Sequence, residues 1–444
     1  MSIQTGLGDA GSFDHQIHAD SANAFSIEEV GRRIEEPLPD GRGVGWIDRG
    51  FFGPADGFHC EVPPWLPTLD TLPICTLTFA NDTDRSVSTN NPTRPIEANP
   101  MQQTNRSVLV YGAYGHTGRF IIAELIDKGF SPVLSGRDRG RLEALGAAHP
   151  TLDIRPASLD DRAALEHAFE GVAAVINAAG PFAFTAFRLI DAAIRARVPY
   201  LDVAAEPDVV AATIESHGGR ALREGIAVIP AVAFFGGLGD LLATAAMGDW
   251  PDADEITLAY ALSSWRPTPG TRVTIEAAEK RREGQRLVFR NRRLELRSDD
   301  APATEWSFPA PVGKQAVIAE FTTADSVTMS RHLKFGSLGE YMTSAPLKDL
   351  GDHDLSPPQA IDTRGRSAQT FLVEAVIRRG GERRLAVATG QDIYAVTAPL
   401  VVEALRRLLA QPAKWRGVVT AGGLGDARAF LQALAPRHLG LKIS

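Results

Sequence analysis

From Ser107 to Val232 the chain repeats one unit, a short apolar run followed by a stretch with apolar residues at helical spacing. No other feature constrains the fold as much. Strands joined by helical crossovers pair in parallel, and a parallel sheet needs helices over both faces. SVLVYG (107–112), PVLSG (132–136), LDIRPAS (152–158), AAVINAA (173–179), YLDVA (200–204) and IAVIPAV (226–232) are the six strand candidates. The segments between them read as helices, the first with Phe120, Ile121, Leu125 and Ile126 on one face. The expected class is α/β, a Rossmann-type doubly wound parallel sheet.

VYGAYGHTGR (110–119) joins the first strand to the first helix. Gly112 permits a tight turn, Gly115 lets backbone approach a pyrophosphate, and Gly118 lets helix and sheet pack closely. A pyrophosphate there rests on free N–H groups and the positive end of the helix dipole. Gly112, Tyr114, Gly115, His116, Thr117 and Gly118 are the expected cofactor positions of this turn. Thr117 either caps the helix or touches phosphate, and the His116 ring is expected to face solvent. Ser135-Gly136-Arg137 ends the second strand. An NAD site places an acid there, whereas an arginine suits a 2′-phosphate, so NADP(H) is the expected cofactor. Asp138 is better placed as the N-cap of the next helix. Asn177, Ala178, Ala179 and Gly180 end the fourth strand with small residues that let a nicotinamide cross the sheet edge, and Phe182 follows as a substrate-side candidate that could pack on a ring.

The chemistry available is narrow. Residues 101–444 hold no cysteine, no tyrosine is followed four residues on by lysine, and no G-x-S-x-G elbow occurs. What remains is hydride transfer by positioning, with the nicotinamide supplying the hard chemistry. Tyr200, Asp202 and Glu206 cluster at the fifth strand's carboxyl end and are the first catalytic candidates, for substrate orientation or proton relay. The blander alternatives are a turn cap for Asp202 and a helix-start acid for Glu206. Asp240 either faces the nicotinamide or caps a helix. Arg331, His332 and Tyr341, with Lys348, are the substrate-side candidates. No metal site is expected, since Cys60, Cys75 and His59 match no zinc spacing.

The motifs YGAYGHTGR, SGRDRGRL, INAAGPF, YLDVAAE and IPAVAFFGGLGDLLA resemble those of the saccharopine dehydrogenase-like NADP-dependent oxidoreductases, trans-acting enoyl reductases among them. The resemblance covers most of 104–444. Many relatives carry Thr-Gly before the glutamate of the fifth-strand motif, where this chain has Ala204-Ala205 before Glu206. The family implies an inserted α+β substrate domain and a final helix returning to the nucleotide domain. The expected domains are therefore 104–250 for NADP, 251–390 for substrate and dimerisation, and 391–444 as returning helices. DEITLAYALSS, QAVIAEF, DSVTMS, TFLVEAVIRR and RRLAVATG read as strands and QRLVFRNRRLELR as a hairpin; PGTRVTIEAAEKRREG, YAVTAPLVVEALRRLLA and ARAFLQALA read as helices, the second of them amphipathic.

Residues 1–100 differ in kind, with 15 acids against 6 Arg and no Lys, while 39 acids and 40 bases nearly balance in 101–444. Apart from one short helix near 26–43, residues 1–103 read as a largely disordered extension rich in Gly, Pro and polar residues. Met101 is the expected start of the functional enzyme. The rival reading is a partner-binding arm using Trp46, Phe51, Phe52 and Trp65. A net charge of −8 argues against nucleic acid, and no apolar run reaches the length of a membrane span. The expectation is a cytoplasmic enzyme with a small-molecule substrate and room for a homodimer. It would reduce a C=C, C=N or C=O bond of a small metabolic or lipid/secondary-metabolite intermediate. The alternative is a catalytically silent NADP(H)-binding redox sensor.

Overall fold

The computed structural model describes residues 106–352 and 356–444. The N-terminal extension, with the helix near 26–43, Cys60, Cys75 and the start at Met101, lies outside the described residues.

The first half alternates as its apolar runs dictate: β1 (Ser107–Tyr111), α1 (His116–Asp127), β2 (Ser131–Gly136), α2 (Arg139–Ala147), β3 (Asp153–Pro156), α3 (Arg162–Ala168), β4 (Ala174–Asn177), α4 (Phe182–Ala196), β5 (Tyr200–Asp202), α5 (Pro207–Glu224) and β6 (Ala227–Ile229). The strands are parallel and lie in the order β3-β2-β1-β4-β5-β6, with a short strand, Gly417–Val418, paired outside β6. This is the doubly wound sheet expected from the alternation. Val108, Leu109 and Val110 are fully buried, which explains why β1 is apolar on both faces. Asp138 caps α2 by accepting from Arg141 N–H at 3.0 Å, and Asp161 caps α3 in the same way. The chain winds outward from β1 to β3 and then returns to β4, so the carboxyl ends of β1 and β4 diverge into the crevice where open α/β sheets bind ligands.

α6 (Gly239–Met247) leads to a second sheet. Its elements are β7 (Ala253–Leu262), α7 (Pro269–Arg281), the hairpin β8 (Arg286–Arg290) and β9 (Arg293–Arg297), β10 (Ala303–Ser307), β11 (Lys314–Ala319), α8 (Ala324–His332), β12 (Phe335–Thr343), α9 (Ser344–Gly351), β13 (Thr370–Arg379) and β14 (Glu382–Gln391). α10 (Ile393–Ala410), β15 (Gly417–Val418), α11 (Ala427–Leu434) and β16 (Leu439–Ile443) follow. The second sheet runs β10-β11-β12-β7-β13-β14-β16. One face packs Ile256, Leu258, Tyr260, Val373 and Ile377 against Phe234, Leu241 and Leu242, in a core continuous with that of the first sheet. The other face carries a smaller cluster around Ala259, Ala261, Leu372 and Val387.

Three expectations change. DSVTMS is not a strand but the body of α8, because Thr323 caps it by accepting from Asp325 N–H and every residue from Ala324 to Met329 is buried. Packing overrides the strand preference of Val327 and Thr328. α10 is not amphipathic but buried nearly all round, with Val396, Leu400, Val401, Val402 and Leu405 inside and its length against α1. β10, β12 and β16 are strands without a clear alternating pattern in the sequence. No helix among the described residues is long and apolar enough to cross a membrane.

Candidate cofactor and active site

The glycine turn is held from both sides. Gly112 N–H and Ala113 N–H both donate to Ser135 O at the end of β2, at 2.9 and 3.1 Å. Gly112 has φ +86°, and a Cβ there would meet Ala179 N at 2.8 Å, so the turn rests directly on the loop after β4. A Cβ on Gly118 would meet Gly112 O at 2.3 Å, which is the close helix approach expected of the third glycine. α1 starts at His116 with no side-chain cap, so Thr117 does not serve as one. Its first N–H groups have no intrahelical acceptor and no side-chain cap, which leaves them available to an anion.

His116 differs from expectation. It does not face solvent: its ring lies edge-on between Phe120 and Tyr394, 5.3 Å from each, and Nε2 is buried. Burial, working against the nearby Asp392, lowers its pKa and keeps the ring neutral. Ser135 is also turned inward, its hydroxyl donating to Arg155 O at 2.7 Å. Gly136, at φ +156°, leaves room for the Tyr114 ring, whose face carries the Arg141 guanidinium at 4.4 Å. Arg137 is exposed and makes no hydrogen bond or ion pair among the described residues, and its charge reaches Tyr111.

The loop after β4 is shaped from beneath. Asn177 accepts from Ala179 N–H at 3.0 Å and donates to Thr185 Oγ1 and Tyr200 Oη, both at 3.1 Å. Tyr200 donates to Asp202 Oδ2 at 2.9 Å, and Asp202 Oδ1 accepts from the N–H groups of Ala204 and Ala231. Thr185 donates to Ala179 O. Tyr200 is fully buried and Asp202 nearly so. Burial raises both pKa values, that of Tyr200 strongly. Glu206 is buried too and accepts from Phe182 N–H at 3.0 Å and Ala205 N–H at 3.1 Å, capping α4 where Pro181 cannot. The three expected catalytic groups thus lie together, but they face the scaffold. Phe182 is itself buried, with its ring beside Gly180.

The substrate-side candidates scatter. Asp240 is fully buried, bonded to His332 Nε2 at 2.6 Å and Gly422 N–H at 2.9 Å. Burial lowers the His332 pKa, but the Asp240 carboxylate outweighs it and the net shift is upward. Arg331 and Lys348 are exposed. Tyr341 stacks on Trp306 in the cluster on the opposite face of the second sheet, away from the glycine turn.

The structure brings other groups to the crevice instead. Thr274 of α7 abuts Gly180, with Oγ1 2.8 Å from where a Cβ would stand. One turn earlier, Thr271 Oγ1 is 3.1 Å from Tyr394 Oη, and Thr268 N–H donates to the same oxygen at 3.4 Å. Trp265 lies 5.3 Å from Phe235 and 6.5 Å from Phe321 between ring centroids. Helical spacing placed Tyr394 at the start of α10, but it lies 123 residues from Thr271, and nothing local in the sequence joins them.

Residues 112–209 match the NAD(P)H-binding family. No curated protein sequence matches the chain. The fold is shared with an apo, histidine-tagged saccharopine dehydrogenase (L-Glu forming) from Saccharomyces cerevisiae, at 13% identity and a TM-score of 0.53, over 76% of this chain and all of that one. A Citrobacter sp. triphenylmethane reductase complexed with NADP(H) aligns at 22% identity and TM-score 0.19, over 22% of this chain and 36% of its own. An NADPH-dependent quinone oxidoreductase from Escherichia coli aligns at 23% identity and TM-score 0.23, over 28% and 46%. The chain spans less than half the length of these last two.

Proposed function

We propose that the chain is an NADP(H)-dependent oxidoreductase that reduces a C=C, C=N or C=O bond of a small metabolic or lipid/secondary-metabolite intermediate. The carrying observation is the uncapped N-terminus of α1 behind the Gly112–Gly118 turn, at the point where the sheet order reverses. The match of 112–209 to the NAD(P)H-binding family supports a nicotinamide cofactor. Gly112, Gly115 and the first turn of α1 would hold its pyrophosphate, and Asn177–Gly180 would floor its nicotinamide. When bound, that ring supplies the hydride.

Arg137 supports the choice of NADP(H). It stands where an NAD site carries an acid, Asp138 is occupied as a cap, and the guanidinium is free for a 2′-phosphate. Arg137→Ala is expected to weaken NADPH binding about 10- to 100-fold, the loss of one charge-assisted contact, and to leave NADH binding unchanged. Fluorescence titration with the two cofactors measures this. Equal weakening of both would refute the assignment.

In this reading Tyr200, Asp202 and Glu206 are positioning residues that set the loop under the nicotinamide. Residues 104–250 with most of 391–444 form the cofactor unit, and 251–390 form the substrate unit, which β16 completes. The sequestration of all three groups also favours a second reading, a nucleotide-binding sensor without turnover. Tight NADPH binding with no NADPH oxidation on any carbonyl, imine or enoyl compound would select it.

A further inference from the structure

We propose that Tyr394 is the proton donor of this site and that its substrate is an uncharged, ring-bearing carbonyl compound; the proposal rests on the oxidoreductase reading above. Tyr394 is the second residue of α10 and sits where three elements meet. Its ring is edge-on to His116 in the first turn of α1, the end that would hold the phosphates. Its hydroxyl is bonded to Thr271 on α7, and Thr274, one turn along the same helix, presses on Gly180 in the loop that would floor the nicotinamide. The hydroxyl therefore lies between the phosphate end and the nicotinamide end of the crevice.

Reducing a C=O bond adds a hydride to carbon and a proton to oxygen. The nicotinamide supplies the first when bound, and the phenol supplies the second. The phenolate left behind needs donors, and two already bond to that oxygen: Thr268 N–H and the Thr271 hydroxyl. Burial raises the Tyr394 pKa, and the hydrogen bonds to Thr271 and Thr268 oppose that rise. Water returns the proton after product leaves.

Substrate class follows from the surroundings. The groups around the hydroxyl are all neutral, and the neighbouring charge on α10, Asp392, is an anion engaged by the N–H groups of Ser367, Tyr394 and Ala395. The groups bonded to the hydroxyl offer a carboxylate substrate no charge partner, and Asp392 would repel it. Beside Trp265 stand Phe235 and Phe321, a wall of rings suited to a flat apolar body.

The test uses the full chain with NADPH and three carbonyl probes, benzaldehyde, cyclohexanone and 2-oxoglutarate. Wild type is expected to oxidise NADPH with the two uncharged compounds and not with 2-oxoglutarate. Tyr394→Phe should bind NADPH normally and lose about 100-fold or more in rate. It should also bind benzaldehyde about tenfold more weakly in the presence of NADP+, read by tryptophan fluorescence, because one hydrogen bond to the carbonyl is gone. Thr271→Val keeps the phenol and removes one donor; a loss of about tenfold is expected, and it carries the test if Tyr394→Phe does not fold. A wild-type rate in either variant overturns Tyr394 as donor while leaving the cofactor reading intact. Preference for 2-oxoglutarate, or reduction of none of the probes, overturns the substrate class. Failure of wild type to bind NADPH overturns the cofactor reading and this proposal with it.

Discussion

Two of the carboxylate networks buried among the described residues are served by hydrogen in different ways. Under the first sheet's carboxyl edge, Asp202 accepts from Tyr200 Oη–H and two backbone N–H groups. Between α8 and the second sheet, Thr323 Oγ1 lies 2.9 Å from both Asp325 Oδ2 and Glu340 Oε1. One hydroxyl carries one hydrogen and can serve only one of them. The other contact closes only if a carboxyl group is protonated. Burial first, and then the Asp325 charge, push Glu340 up to about 8, whereas burial takes Asp325 to about 6. Glu340 thus holds the extra proton at neutral pH and donates it to Thr323, which donates to Asp325. Asp325 in turn accepts from Gly236 N–H, Asp240 N–H and Tyr260 Oη–H. The comparison shows two ways of burying an acid, by supplying enough donors or by keeping the proton.

The largest expected effect breaks the first network. Asp202→Ala strands the Tyr200 hydroxyl and the N–H groups of Ala204 and Ala231, at a cost of about 3 kcal/mol or more in urea unfolding. NADPH affinity should fall with it, because the loop under the nicotinamide loses its support. Retained stability would mean that the network is ornamental.

Titration sharpens the contrast. Glu340 has a folded-state pKa above its unfolded value, so the folded state binds more protons between the two. Stability should therefore fall as pH rises from the ordinary carboxylate range to about 8, and level off beyond. Asp325 adds the same sign up to about 6, and His332, raised by Asp240, also loses its contribution as pH rises. Glu340→Gln is permanently neutral and should flatten the Glu340 part of this decline, in urea midpoints taken across the range. An unchanged slope would place the proton elsewhere. The smallest effect lies outside both networks. Arg197 closes α4 at φ +55°, so Arg197→Gly should add about 0.5–1 kcal/mol at every pH.

Legibility in the sequence followed distance along the chain. The glycine turn, the Asp138 cap and the position of Arg137 are local, and each was readable from spacing. Tyr200, Asp202 and Glu206 were legible as a cluster, but their direction was not. Strand alternation says which end of β5 they occupy, while Ala231, 29 residues on, decides where the carboxylate points. α8 was missed because Val327 and Thr328 favour strands in isolation, and only burial against the second sheet makes them helical. Tyr394 was out of reach, since its meaning depends on α7 and on His116.

The strands β15 and β16 lie only 21 residues apart, yet one completes the first sheet and the other the second. On the ribosome, then, the edge of β6 waits unpaired until residue 418 has emerged, and that of β14 until residue 443. Proteolytic nicking within 411–416 would open both sheets together.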